Sequence, residues 1–183
     1  LSSLAKKIDI PISVDTYKPA VAYEALQVGA KIINDIRGLQ KTAEMAEVVS
    51  RFNGGVVIMH MKGSPLTMQE NPKYQNVVND VKKFLAKSIK IAEKAGILPD
   101  QVAVDPGIGF GKSQKHNIEI LNNLEKFNEL EKPILIEGPP GVGKTELANT
   151  ASMYFKKELQ QVTENDAKMD YKWIPQSTLF IIF

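Results

Sequence analysis

The sequence predicts an α/β fold built on a parallel sheet, and it closes on a strand, a phosphate-binding loop and a helix. Three observations predict this. Short β-rich apolar runs alternate with helical patterns, a rhythm that demands crossover connections between parallel strands. Four successive apolar runs end on polar side chains. A Gly-x-x-x-x-Gly-Lys-Thr run stands at Gly138–Thr145, between an apolar run and a helical pattern.

The elements follow in order. Residues 10–15 read as a first strand. Pro19 opens a helix where its missing N–H costs nothing, and Gly29 closes it. Residues 31–34 form a second strand and 42–52 a helix; residues 55–61, with Val56, Val57, Ile58 and Met59 in one run, form a third strand. The longest helix spans 75–95. Val77, Val78, Val81, Leu85, Ile89 and Ala92 recur at steps of three and four and make one apolar stripe, with Gly96 as the C-terminal cap. A fourth strand at 102–105, a helix at 117–130 and a fifth strand at 133–136 complete the alternation, and 178–183 is a candidate sixth strand.

Composition narrows the functional classes. Apolar residues at 43% and charged residues at 24% describe a globular chain rather than a disordered one. A net charge of +2, with its lysines spread along the chain, argues against nucleic acid or a membrane surface as partner. The absence of cysteine excludes disulfides, a thiolate zinc site and a cysteine nucleophile, and fits a cytoplasmic protein. No run approaches the roughly 20 apolar residues that span a bilayer. The opening Leu1-Ser2-Ser3-Leu4-Ala5-Lys6-Lys7 lacks the apolar core of a signal peptide and reads as the tail of a helix.

Asp15 ends the first strand, Asn34 and Asp35 the second, His60 lies near the end of the third and Asp105 ends the fourth. Any one of them could be a turn former. Four together favour a polar pocket at the C-terminal ends of the strands, where parallel α/β folds build their sites. The glycines of the 107–111 loop suit either a phosphate loop or a tight strand-to-helix turn. A lone His60 is read as structural.

Four runs carry a family resemblance: Pro11-Ile12-Ser13-Val14-Asp15-Thr16-Tyr17-Lys18-Pro19; Ile32-Ile33-Asn34-Asp35; Met59-His60-Met61-Lys62-Gly63-Ser64-Pro65, with Thr67-Met68-Gln69; and Asp105-Pro106-Gly107-Ile108-Gly109-Phe110-Gly111-Lys112. In order, spacing and wording they resemble dihydropteroate synthase over about residues 8–136. The resemblance implies a (β/α)8 barrel, here incomplete, that joins 6-hydroxymethyl-7,8-dihydropterin diphosphate to 4-aminobenzoate in folate biosynthesis with magnesium present. It implies that Asp15, Asn34 and Asp105 hydrogen-bond the pterin, while Met59 and Phe110 line the pocket around its ring.

Other motifs of that family are not in this sequence: the Asn-x-Thr-x-Asp-Ser-Phe and Thr-Arg-Pro segments of its first two strands, the Ser-Arg-Lys-Ser run, and the Arg-x-His of its last strand. These handle the metal, the diphosphate and the aminobenzoate, and a departing diphosphate needs cationic stabilisation. The chain taken alone is therefore expected to bind a pterin without appreciable turnover.

After the fifth strand the wording changes. Residues 132–150 resemble an AAA-type ATPase, with Gly138 and Gly143 framing the loop, Lys144 placed for β- and γ-phosphates and Thr145 for Mg²⁺. No acidic residue follows Asp170, so a Walker B acid is lacking and ATP hydrolysis is not expected. The expected organisation is a partial pterin-binding barrel over 1–136 and a truncated phosphate-loop segment over 137–183, joined within 132–136. An ATP-binding module and a chimeric remnant without function are the alternative readings. Exposed strand edges, with the apolar Leu179-Phe180-Ile181-Ile182-Phe183, point to homodimerisation or aggregation.

Overall fold

The computed structural model describes residues 1–136, apart from 9, 65, 66 and 69, together with the strand at 179–181. Gly138, Gly143, Lys144 and Thr145, the helix expected after them and most of the 137–183 segment lie outside the described residues.

A short helix α1 (Ser2–Ala5) precedes β1 (Ser13–Asp15), α2 (Pro19–Gln27), β2 (Ile32–Asp35), α3 (Ala43–Arg51) and β3 (Gly55–Met59). Then come α4 (Val77–Lys94), β4 (Val102–Asp105), α5 (Gln114–Leu121), a 3-10 segment (Leu124–Leu130), β5 (Ile134–Ile136) and β6 (Leu179–Ile181). The six strands form one sheet in the order β1-β2-β3-β4-β5-β6, and every neighbouring pair is parallel. A doubly wound sheet reverses its strand order part-way. This one never does, so each crossover advances in the same direction, as in an arc of a (β/α)8 barrel.

Local sequence explains the boundaries. Pro19 starts α2, and the Asn76 side chain accepts a hydrogen bond from Asn79 N at 2.9 Å to cap α4. Three helices end by one device: a residue in left-handed conformation (Gly29, Asn53, Gly96) bonds back three residues, and its successor bonds back five. Gly29 and Gly96 were expected in that role; Asn53 was not.

The register sorts side chains onto two faces, because paired residues of parallel strands point the same way. The outer face carries Ile33, Val56, Ile58, Val102, Val104, Ile134 and Ile136, all in the core cluster with the helices. Every member of the α4 stripe is buried there: Val77, Val78, Val81, Leu85, Ile89 and Ala92.

Three expectations are corrected. The helix expected over 117–130 is two pieces, α5 from Gln114 to Leu121 and the 3-10 segment from Leu124. Ser113 starts α5 early, its hydroxyl accepting from His116 N while His116 Nδ1 accepts from Ser113 N. Asn123 breaks the continuation by turning its amide back onto the Glu119 carbonyl at 2.8 Å. The first strand occupies only Ser13–Asp15 of the expected 10–15, and β3 stops at Met59 rather than reaching residue 61.

Candidate functional site

The inner face of the sheet brings together four of the five expected pterin-site residues. Asp15 pairs with Asn34 across β1 and β2, and Met59 pairs with Asp105 across β3 and β4. Asn34 is also in register with Val57, two residues before Met59, so all four share one face at the C-terminal ends of their strands. The set runs from the exposed Asp15 to the buried Asn34, Met59 and Asp105.

Asp35, one residue beyond Asn34, turns to the outer face. There its carboxylate accepts from Arg37 N at 2.9 Å and Leu39 N at 2.8 Å, bracing the turn that leads to α3. Burial raises its pKa, against the lowering effect of those two bonds and of the Arg37 charge. Of the adjacent pair Asn34-Asp35, only Asn34 faces the site.

After β4 the chain makes a turn pressed against the end of β3. Asp105 Oδ1 accepts from Gly107 N at 2.6 Å, and Phe110 N donates to Gly107 O at 3.1 Å. Gly107 has φ of 68°, and a Cβ there would stand 2.0 Å from the His60 carbonyl oxygen. At Gly111 a Cβ would stand 2.4 Å from Lys62 O. These glycines allow backbone-to-backbone approach. The amides of Gly107, Gly109 and Phe110 are already engaged, Gly109 with Asn117 Oδ1 at 3.0 Å, so the tight-turn reading fits better than a phosphate cradle. Phe110 stands half-buried on this turn.

Lys112 closes the turn. Its ammonium, on a residue 2% exposed, lies 2.9 Å from His60 Nδ1, 2.8 Å from Gly107 O, 3.0 Å from Phe110 O and 3.3 Å from His60 O. Burial pulls Lys112 down to about 7, opposed by the Asp105 carboxylate. His60 is pushed down to about 3 by burial and then by the Lys112 charge, so its ring is neutral and Nδ1 accepts from Lys112. Its ring packs edge-on to Phe84 at 4.8 Å. Tyr74 donates to Gly111 O at 2.7 Å, and burial raises its phenol pKa. Its ring packs on His116 at 4.9 Å and lies 4.3 Å from the Lys62 ammonium.

Lys112 and Tyr74 are the residues that sequence reasoning missed. The only signal for Lys112 was a lysine directly following a glycine-rich turn, which usually means solvent. Between the turns after β2 and β3 and the start of α4 lies a cleft of about 690 Å³ whose lining includes Arg37, Gln40, His60, Lys62, Tyr74 and Phe84. None of the expected pterin residues lines it.

Two carboxylates and an amide on one face can satisfy the alternating donors and acceptors of a flat heterocycle edge, with a thioether and a phenyl ring beside them for its faces. Among the described residues no three of His, Asp and Glu come together as a metal-ligand set. No helix among them is long and apolar enough to cross a membrane.

A family profile described as pterin binding enzyme matches residues 1–139. The chain belongs to that family. It is 40% identical over 136 residues to the dihydropteroate synthase of Clostridium beijerinckii, an alignment covering 74% of this chain and 48% of that protein. The chain thus spans about half the length of the curated relatives it matches. Among solved structures it is similar to Xanthomonas albilineans dihydropteroate synthase in complex with 7,8-dihydropteroate (TM-score 0.69, 35% identity, 81% of this chain and 53% of that one). The same enzyme with 4-aminobenzoic acid gives TM-score 0.67 and 38% identity over 74% of this chain and 47% of that one. The parallel α/β sheet of this chain fits part of such a fold.

Proposed function

We propose that the inner face recognises a reduced pterin of the kind that dihydropteroate synthase condenses, as 6-hydroxymethyl-7,8-dihydropterin diphosphate, with 4-aminobenzoate. The observation that carries the reading is the pair of cross-strand contacts, Asp15 with Asn34 and Met59 with Asp105, on one face at the strand ends. In this reading Asp15, Asn34 and Asp105 bond the pterin edge and hold its orientation, while Met59 and Phe110 pack on the ring. Low dielectric around the buried Asn34 and Asp105 strengthens those bonds. Magnesium, 4-aminobenzoate and a cytoplasmic location belong to the same proposal, as does a division of the chain near 136 and 137. Among the described residues β1 pairs only with β2, and pairing of its other edge with a second copy would make the homodimer.

Calorimetric titration with 6-hydroxymethyl-7,8-dihydropterin tests the reading. Binding by the native chain and its loss in Asp105→Ala are expected; a folded chain that takes up no pterin overturns it. Release of diphosphate on adding 4-aminobenzoate and magnesium would extend the proposal from recognition to turnover.

A second reading rests on the complete Gly138–Thr145 motif, which begins two residues after β5, a strand paired with β4 on one side and β6 on the other. A strand leading into such a loop is the context in which Lys144 and Thr145 would hold ATP and Mg²⁺. Titration with Mg-ATP, lost in Lys144→Ala, is its test.

A further inference from the structure

We propose that Lys112 is a positioning residue of the pterin site: its buried ammonium ties the end of β3 to the 107–111 turn and so sets where Phe110 stands relative to Asp105. The proposal rests on the pterin reading of the inner face. Lysine is among the residues least often buried, and a buried ammonium persists only where acceptors surround it. Here four acceptors lie within 3.3 Å, two on His60 and two on the turn, at Gly107 O and Phe110 O. They belong to segments nearly fifty residues apart in sequence, and their backbones are already in contact at Gly107.

The two carbonyls bracket the turn. Gly107 also donates to Asp105 Oδ1, and Phe110 N donates to Gly107 O, so the ammonium holds a closed circuit running from Asp105 through Gly107 to Phe110. Both ends of that circuit are pterin contacts in the proposed site. An ammonium has three N–H groups, and the neutral amine has two. Deprotonation therefore takes a donor from this set and loosens the turn, while a merely space-filling lysine would leave it unmoved.

Charged and titratable groups around Lys112 are few. Asp105 faces it from β4, and His60 and Lys62 from the segment after β3. Tyr74 reaches Gly111, and His116 packs on Tyr74 from α5. His60 stays neutral through the neutral range, and Tyr74 is shifted upward, away from it.

The test uses the native chain and Lys112→Met, which keeps the length of the stem and removes the donors. In the native chain, backbone amide resonances of Gly107, Gly109, Phe110 and Gly111 are expected to shift together between pH 6 and 9. The shared midpoint is expected near 7. In Lys112→Met that transition is absent, and subtracting the two profiles removes any contribution of His116 or of the ligand. Affinity for 6-hydroxymethyl-7,8-dihydropterin falls about tenfold in Lys112→Met, the worth of one buried hydrogen bond to a charged group, and loses its pH dependence. A folded Lys112→Met with native affinity and a native pH profile overturns the proposal. So does a native chain whose turn amides show no shared transition, a result that needs no variant to fold. Absence of pterin binding by the native chain is instead a failure of the pterin reading, and the amide titration still decides whether Lys112 holds the turn.

Discussion

β2 and β4 both end in an aspartate and both run into a tight, glycine-bearing turn, yet the two carboxylates stand on opposite faces of the sheet. Asp35 looks outward to the helices and accepts two backbone N–H groups, from Arg37 and Leu39. Asp105 looks inward and takes Gly107 N with one oxygen, beside Met59. The local chemistry is nearly the same: a strand-end carboxylate bracing the turn that follows. What separates a loop brace from a candidate ligand contact is parity, one residue's difference in position along the strand. A site on a parallel sheet is thus chosen by register before it is chosen by residue type.

The comparison can be broken most severely at Gly107. Alanine there must take a left-handed backbone and overlap His60 O, so Gly107→Ala is expected to lower unfolding free energy by about 4 kcal/mol, measured by urea denaturation. Asp35→Ala sharpens the contrast, since it strands two backbone N–H groups, one of them buried. A loss of about 2 kcal/mol is expected, with pterin affinity close to native, whereas Asp105→Ala removes pterin binding. Equal loss of binding in both variants would erase the distinction between the faces.

A third effect, one that depends on pH, comes from His60. Its folded pKa, about 3, lies below the unfolded value of 6.5, so the unfolded chain binds the extra proton first as pH falls. Its contribution is present above pH 6.5 and drains away between 6.5 and 3. Urea midpoints measured over that window should fall less steeply in His60→Gln than in the native chain. Parallel slopes would show that His60 is not what makes the β3 end acid-sensitive.

Much of this was legible in the sequence. Strand–helix alternation located every described strand, and the α4 stripe named residues that are in fact buried. The strand-end polar residues Asp15, Asn34 and Asp105 do stand together on one face at one end of the sheet. The break at Asn122 and Asn123 was not legible, because the apolar spacing of Ile118, Leu121 and Leu124 continues across it while the Asn123 amide folds back on Glu119. Nor was Lys112: a lysine is written the same way whether it meets water or four acceptors, and the acceptors are supplied by backbone carbonyls that sequence does not label. Whether Asn34 or Asp35 faced the site depended on register, which strand pairing settles and composition does not.

The strand order has a consequence for how the molecule is made. Among the described strands, each one after β1 pairs with the described strand before it. A chain emerging from the ribosome can therefore add one strand at a time to a template already in place, with each helix sealing the outer face as it arrives. Parallel sheets usually fold slowly because distant segments must meet; in the described sheet, neighbours in space are consecutive in the chain.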